Sequence, residues 1–281
     1  MFKHLLVCVD GSRDAAAAEE VALALAFPLD AVVHGVHIID SSFLEGAFIT
    51  DISGAMGFEP FLNLQAQVRA TLTEVAEAIK ERFTAHCSEA GIEHTFQITR
   101  APVVKGILEA AKLADLVVVG QRGVNARFHE DLLGPTTETL LRRSPRPVLV
   151  VPAEGRFPTR PLVAYDGSPK SVRALQVGAT LCRQLSLELT VVTVDDDALR
   201  GEAHLQEAAA YLKPHGVPVT YRRQGGNAVE EELLKLLAGD GFDLLLLGAH
   251  GHTRIVELVL GSTSEFMARR SPVPVLCVTR A

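Results

Sequence analysis

Residues Phe242–Gly251 read FDLLLLGAHG, an unbroken apolar run followed at once by two closely spaced glycines. An apolar run without polar alternation is typical of a strand that is buried on both faces of a parallel sheet. Glycine costs about 0.5–1 kcal/mol relative to alanine inside regular structure, so glycines directly after such a strand need a reason. Residues Ala114–Gly123, ADLVVVGQRG, repeat the pattern. The chain is therefore expected to contain the same strand and loop twice.

Two further blocks recur in the same order. The segment HLLVCVDGS near the start matches PLVAYDGS, and LLGPTTETLLRRSPRPVLVVP (Leu132–Pro152) matches VLGSTSEFMARRSPVPVLCVT (Val259–Thr279). Three blocks in one order indicate a tandem duplication. Glycine and proline interrupt the pattern between Ala153 and Thr159, so the sequence predicts domains at residues 1–154 and 155–281.

The composition is that of a globular protein with substantial cores. The 281 residues are 48% apolar and 22% charged, with a formal net charge of −7. An acidic balance argues against a nucleic-acid or anionic-membrane partner, and no apolar run is long enough for a membrane span. The four cysteines form no C-x-x-C pair, so we expect buried, reduced thiols and a cytoplasmic protein. They are Cys8, Cys87, Cys182 and Cys277.

In the second copy, strands and helices are predicted to alternate. Ser168 and Pro169 suit the N-cap and first position of a helix, and another helix should begin near Ser262. The five predicted strands are PLVAY, LELTVVTV, VPVTY, LLLL and VPVLCV. Five strands that alternate with four helices require crossovers, so each copy is expected to be an α/β domain with a doubly wound parallel sheet. Ligands of such sheets bind beyond the carboxyl ends of the strands.

The first copy is longer than the second. Most of the extra residues lie in the apolar but aperiodic stretch Ser41–Gln65, within an insertion at about residues 41–68. This stretch is compatible with a lid over a pocket, with an interface between the halves, or with a packed surface loop.

The spacing Gly248-x2-Gly251-x9-Gly261-Ser262 predicts a phosphate-binding loop. Glycines let backbone N–H groups approach a ligand, and a helix that starts near Ser262 would direct further N–H groups and its dipole toward an anion. The hydroxyls of Ser262, Thr263 and Ser264 would add donors. Two structural explanations compete with this one: Ser262-x-x-Glu265 has the form of a capping box, and glycines after strands are common in turns. The loop is not a P-loop, and the first strand-to-helix turn, YDGSP, lacks the G-x-G-x-x-G fingerprint of an ordinary dinucleotide fold.

An aspartate ends the first strand of each copy, at Asp10 and Asp166. A carboxylate there suits a ribose hydroxyl or an adenine amino group, although DGS is also a good turn and N-cap sequence. Arg254 fits either a phosphate contact or a solvated loop charge. His250 and His252 have no further ligand cluster near them in the sequence, so no metal site is assigned.

These motifs resemble the universal stress protein family, whose hallmark G-x2-G-x9-G-[ST] is met in full by Gly248, Gly251, Gly261 and Ser262. The resemblance covers nearly the whole chain as two tandem copies. It implies an adenine nucleotide alpha-hydrolase-like fold, a five-stranded parallel sheet of order 3-2-1-4-5, and ATP as the ligand, with Mg²⁺ left open as its companion. The family's backbone contact to the base would fall around Val194, and around Ile38 in the first copy.

The first copy departs from the family's pattern. Its glycines are Gly120, Gly123 and Gly134, with ten rather than nine residues between the last two, and Pro135 stands where a serine or threonine belongs. Proline removes one backbone N–H, for which we expect Gln121, Arg122 and Thr136 to compensate in part. We therefore expect ATP in the C-terminal copy, weak or no binding in the N-terminal copy, which would use Asp10, Ile38, Gly120, Gly123, Gly134 and Thr136, and an internal pseudo-dimer of the two domains. A homodimer is left open.

Three function classes fit the sequence: an ATP-binding regulatory protein of the stress response, a slow ATPase or nucleotidyl- or phosphoryl-transfer enzyme, and a nucleotide-independent scaffold. The sequence offers no obvious general base, no P-loop lysine and no acidic cluster for two metal ions. No catalytic residue is assigned, and the regulatory class is favoured.

Overall fold

The structure, a computed structural model, describes residues 2–41, 61–124, 133–249 and 260–279. Strands and helices alternate through these parts of the chain. The strands are β1 His4–Cys8, β2 Val32–Asp40, β3 His94–Ala101, β4 Leu116–Gly120, β5 Val148–Val151, β6 Pro161–Ala164, β7 Leu189–Val194, β8 Val219–Gln224, β9 Leu244–Gly248 and β10 Val275–Val278. The helices are α1 Arg13–Leu29, α2 Phe61–Glu89, α3 Val103–Ala111, α4 Pro135–Arg143, α5 Pro169–Leu185, α6 Ala198–Leu212, α7 Val229–Gly239 and α8 Ser262–Arg270.

The strands form one sheet of order β3-β2-β1-β4-β5-β10-β9-β6-β7-β8. Each half contributes five parallel strands in the order 3-2-1-4-5, so the predicted α/β fold and strand order are confirmed. The first and fourth strands of each half are neighbours: Val7 pairs with Val118, and Val163 pairs with Leu246. Consequently, the aspartate that follows the first strand and the glycine that ends the fourth strand lie at the same edge of the sheet.

The two halves meet through β5 and β10, which pair antiparallel with Leu149 opposite Leu276. Each of these strands would be an exposed edge in an isolated half, and both are fully buried in the paired sheet. Pairing them satisfies the backbone groups that an edge leaves open.

Side chains alternate between the two faces of the sheet along each strand, so the core has two layers. In β1, Leu5 and Val7 pack into one layer, and Leu6 and Cys8 pack into the other. The first layer holds residues of α1, α2, α5 and α6, and the second holds residues of α3, α4, α7 and α8. All four cysteines are buried and free, as predicted.

The first helices of the two halves share local conformations, as expected of a duplication. Ser12 and Ser168 cap the first helix of each half, with the side chain accepting from Ala15 N and Ser171 N. The predicted N-cap at Ser168 is confirmed, as is the start of a helix at Ser262. Both first helices also end in a left-handed residue, Asp30 at φ 48° and Ser186 at φ 56°.

Two predicted segments need correction. The third strand of the second half is β8, not VPVTY; it starts after Pro218, which lacks an N–H, and continues through the polar Arg222 and Arg223. Apolarity identified only part of this strand because β8 lies at the edge of the sheet. In the insertion, Phe61–Gln65 belong to α2 rather than to a loop, and residues 42–60 lie outside the described residues.

Candidate functional site

The carboxyl ends of the first and fourth strands form a matching site in each half. Asp10 and Asp166 follow the first strands, and each accepts a hydrogen bond from the backbone N–H two residues later, at 2.8 Å from Ser12 and 3.0 Å from Ser168. Asp166 is exposed and Asp10 is partly exposed. The turn geometry expected of DGS is therefore present, and in the C-terminal half it leaves the carboxylate facing solvent.

The glycine that ends the fourth strand has a packing role. A Cβ on Gly120 would lie 2.7 Å from the carbonyl carbon of Asp14, and a Cβ on Gly248 would lie 2.6 Å from that of Lys170. Contacts this short to backbone cannot be relieved by a rotamer change. These glycines let the first helix of each half approach the sheet, a requirement that spacing alone did not reveal.

At the start of α8, the three neighbouring hydroxyls have different environments. Ser262 is exposed at the first position of the helix. The Thr263 hydroxyl donates to Glu230 at 2.8 Å, and the buried Ser264 hydroxyl donates to the carbonyl of Gly248 at 2.8 Å. Among these three residues, Ser262 is the exposed one.

The capping-box explanation for Ser262 is wrong. The N-cap is Gly261, which has an extended conformation and no side-chain cap bond, so Ser262 is already inside the helix. Gly261 N donates to Ala249 O at 3.2 Å and holds the helix start against the end of β9. Gly251, His250, His252 and Arg254 lie outside the described residues.

The equivalent helix of the N-terminal half, α4, begins with Gly134 as N-cap and Pro135 as its first residue. Thr137 reproduces the contact of Ser264, donating to the carbonyl of Gly120 at 2.8 Å. Gly134 N donates to Gln121 O at 3.0 Å. The two helix starts thus share their anchoring and differ at the first position, where proline supplies no N–H and no hydroxyl. Thr136, the next residue, is partly buried.

Carboxylates occupy the backbone donors of the N-terminal loop. Asp14 Oδ2 accepts from Arg122 N at 3.0 Å, and Asp10 Oδ2 accepts from Val124 N at 3.2 Å. A Cβ on Gly123 would lie 2.8 Å from Asp10 Oδ2, so glycine at this position makes room for the carboxylate. The N–H groups of Arg122 and Val124 are therefore bound by side chains of the same half.

Gln121, which was expected to compensate in part for the missing N–H, also contacts the C-terminal half. It is buried, and its Nε2 donates to the carbonyl of Ala268 in α8 at 2.8 Å. Its Oε1 accepts from Arg122 Nη2 at 3.4 Å, so the side chain contacts both its own loop and the other half of the molecule.

The ends of the second strands, where the base contact was expected, are well packed. Val194 is half-buried at the end of β7, and Ile38 packs so closely on α3 that a Cβ on Gly106 would lie 2.7 Å from its Cδ1. After β7, Asp195 receives a two-point contact from Arg200, at 2.5 and 2.7 Å. The Arg200 guanidinium lowers the pKa of Asp195 to about 2, so this carboxylate stays charged and anchors the loop next to Val194.

Sequence reasoning missed three charged residues at these sites: Asp14, Lys170 and Glu230. Asp14 and Lys170 both stand four positions after the strand-end aspartate, in DGSRD and DGSPK, so the repeat itself held the signal. Glu230 carried no comparable signal because it reaches Thr263 from α7.

Comparison with known proteins places this chain in a family. The model of the universal stress protein family matches residues 1–152 and again residues 159–279. The chain belongs to the universal stress protein family. A universal stress protein of Synechocystis sp. is 30% identical over 98% of this chain and 99% of its own length. One from Mycolicibacterium smegmatis is 25% identical over 98% of this chain and 96% of its own.

A solved structure agrees with the fold. A universal stress protein from Archaeoglobus fulgidus aligns over 99% of this chain and 98% of its own, with a TM-score of 0.70 and 22% identity. Within the described ranges, no helix combines the length and apolarity that crossing a bilayer requires. The same ranges contain no group of three histidine, cysteine, aspartate or glutamate residues placed to hold a metal ion.

Proposed function

We propose that the C-terminal half, residues 155–281, binds ATP at the carboxyl ends of β6 and β9, and that the chain is a regulatory nucleotide-binding protein with little or no turnover. The observation that carries the proposal is the start of α8. Its first residue is an exposed serine rather than a proline, and Gly261 ties it to the end of β9.

The first turn of α8 suits a phosphate group. The first backbone bond of the helix runs from Glu265 N to Gly261 O, so the N–H groups of residues 262–264 come before it and have no partner within the helix. The helix dipole adds partial positive charge at the same place. Together with the hydroxyl of Ser262, these groups would bind the terminal phosphates. Gly248 and Gly251 would let the backbone of the preceding loop approach the same phosphates.

The other contacts to ATP would come from residues at the carboxyl ends of the strands. The exposed carboxylate of Asp166 would accept from the ribose or from the adenine amino group, and the backbone near Val194 would contact the base. Mg²⁺ would enter as the counter-ion of the phosphates. The sequence offers no obvious general base for attack on a phosphate, and this favours binding over hydrolysis.

The N-terminal half is proposed to bind ATP weakly or not at all. Pro135 removes an N–H from its helix start, and Asp10 and Asp14 already accept from Val124 N and Arg122 N. A phosphate would have to displace two carboxylates and would meet their negative charge.

Calorimetric titration of the full chain with ATP tests the proposal. Gly251→Val should abolish binding through Cβ crowding, whereas the matched Gly123→Val should leave the affinity for ATP almost unchanged. No heat of binding at millimolar ATP would refute the proposal, and equal losses in both variants would refute the inequality of the sites. Incubation with ATP for hours should release no ADP; steady release would establish an enzyme instead.

A further inference from the structure

The two halves carry opposite charges at one equivalent position beside the candidate site. Asp14 and Lys170 are each the second residue of the first helix of their half. A Cβ on Gly120 would lie 2.8 Å from the Cβ of Asp14, and a Cβ on Gly248 would lie 2.7 Å from the Cβ of Lys170. Both side chains therefore start at the point where the fourth strand passes into the glycine-containing loop.

In the N-terminal half, the residue at this position is an aspartate whose carboxylate binds the backbone of the loop. Asp14 is only 8% exposed, and its carboxylate is placed on the loop by the 3.0 Å bond from Arg122 N. Burial raises the pKa of Asp14, and the Arg122 N–H opposes that rise. Asp10 adds a second carboxylate on the same loop through its bond from Val124 N.

In the C-terminal half, the same position is basic. Replacing an aspartate by a lysine changes the local charge by two units toward positive. Gly248, on which Lys170 packs, also accepts a hydrogen bond from the hydroxyl of Ser264 in the first turn of α8, where ATP phosphates are proposed to lie. Lys170 is half-buried, and burial lowers its pKa. A partly desolvated ammonium interacts with an anion more strongly than one surrounded by water.

We propose that Lys170 is the residue of the C-terminal half that selects phosphorylated nucleotides over the bare nucleoside, and that Asp14 excludes phosphate at the equivalent place in the N-terminal half. This inference rests on the proposed ATP site. It adds the residue that distinguishes ligands by their charge. The ligand class that follows is an adenine nucleotide with two or three phosphates, since each added phosphate group increases the attraction to Lys170.

The test is calorimetric titration of the full chain with ATP, AMP and adenosine, in the wild type, Lys170→Gln and Lys170→Arg. Lys170→Gln should weaken ATP binding by roughly 10- to 100-fold, the range for one charge-assisted contact, and should leave adenosine binding unchanged. Lys170→Arg keeps the charge and should retain most of the ATP affinity. Thermal unfolding of each variant reports whether the fold is intact.

The outcomes separate this inference from the one on which it rests. If the wild type binds neither ATP nor adenosine, the proposed function fails. If the wild type binds ATP and Lys170→Gln keeps the same ratio of ATP to adenosine affinity, the proposed function stands and the role of Lys170 is refuted. A parallel loss of ATP and adenosine binding in Lys170→Gln would also refute selection by charge, because it indicates a structural role.

Discussion

The Nε2 of Gln121 donates to the main-chain oxygen of Ala268 at 2.8 Å, across the junction between the two halves. Gln121 directly follows β4, and Ala268 lies in α8, the helix whose start is the proposed phosphate site. The equivalent of Gln121 in the other half is Ala249, which has no side-chain donor. The bond therefore links the N-terminal loop to the C-terminal site without a symmetric counterpart.

Removing this bond should destabilise the protein. Gln121→Met keeps the volume but leaves the Ala268 oxygen buried without its donor, which costs about 1–3 kcal/mol in the free energy of unfolding. Urea denaturation measures the change, with Gln176→Met on the exposed face of α5 as the control. An equal, small effect in both variants would mean that the Gln121 bond contributes nothing measurable.

The glycines that end β4 and β9 should be equally intolerant of a side chain. Gly120→Ala and Gly248→Ala each force a methyl group against helix backbone, and such overpacking costs about 1–3 kcal/mol. The control is Gly239→Ala in α7, where a Cβ would meet no atom within 4 Å. Thermal unfolding should show a lower midpoint for the first two variants only. A Gly248→Ala protein as stable as the control would contradict the packing role.

Substitutions at Ser262 and Ser264 should have different effects, the first on ATP binding and the second on the free energy of unfolding. Ser264→Ala removes the bond to Gly248 O and should lower the free energy of unfolding by about 1 kcal/mol, as should Thr137→Ala in the N-terminal half. Ser262→Ala changes an exposed hydroxyl and should weaken ATP binding with no loss of stability. The reverse pattern would show that the hydroxyl facing the ligand has been misassigned.

One contribution to stability should be lost as the pH rises through the pKa of His86. Glu19 is 2% exposed and is contacted by Arg82 Nη2 at 3.0 Å and His86 Nδ1 at 2.9 Å. The bond to Glu19 raises the pKa of His86 above its ordinary value of 6.5, with the nearby Glu20 and Glu89 acting in the same direction against partial desolvation. The folded state then holds a proton that the unfolded state releases. This stabilisation is fully present below pH 6.5 and is lost as the pH rises through the raised pKa.

The measurement for His86 is the unfolding midpoint in urea from pH 5.5 to 8.5, for the wild type and His86→Gln. The difference between the two proteins should be largest at the acidic end and should shrink toward the alkaline end. A difference that stays constant over this range would show that His86 does not titrate with folding.

The sequence predicted the fold well because the duplication repeats every strong local signal. Unbroken apolar runs marked the buried strands such as β9, and the Ser168-Pro169 pair marked a helix start. The prediction was less accurate at β8, because an edge strand needs backbone pairing rather than apolar side chains and so continues through Arg222 and Arg223.

The site was only partly accessible to sequence reasoning. Spacing pointed to Gly261 and Ser262 at a helix start, but it could not tell that Ser264 is turned inward to Gly248 O or that Gln121 faces the other half. Those choices depend on contacts between elements far apart in the chain. The charge difference between Asp14 and Lys170 was visible in the repeat, yet only the packing against Gly120 and Gly248 showed that it borders the site.

The most direct test of the central claim is a crystal structure of the full chain soaked with ATP. We predict density for one nucleotide per chain, with phosphates at the start of α8 near Gly261 and Ser262 and the base toward Asp166 and Val194. The equivalent crevice near Gly134 should hold no nucleotide or a nucleotide at clearly lower occupancy. Phosphate density against Gly134 as strong as that against Gly261, or no nucleotide in either half at saturating ATP, would contradict the account.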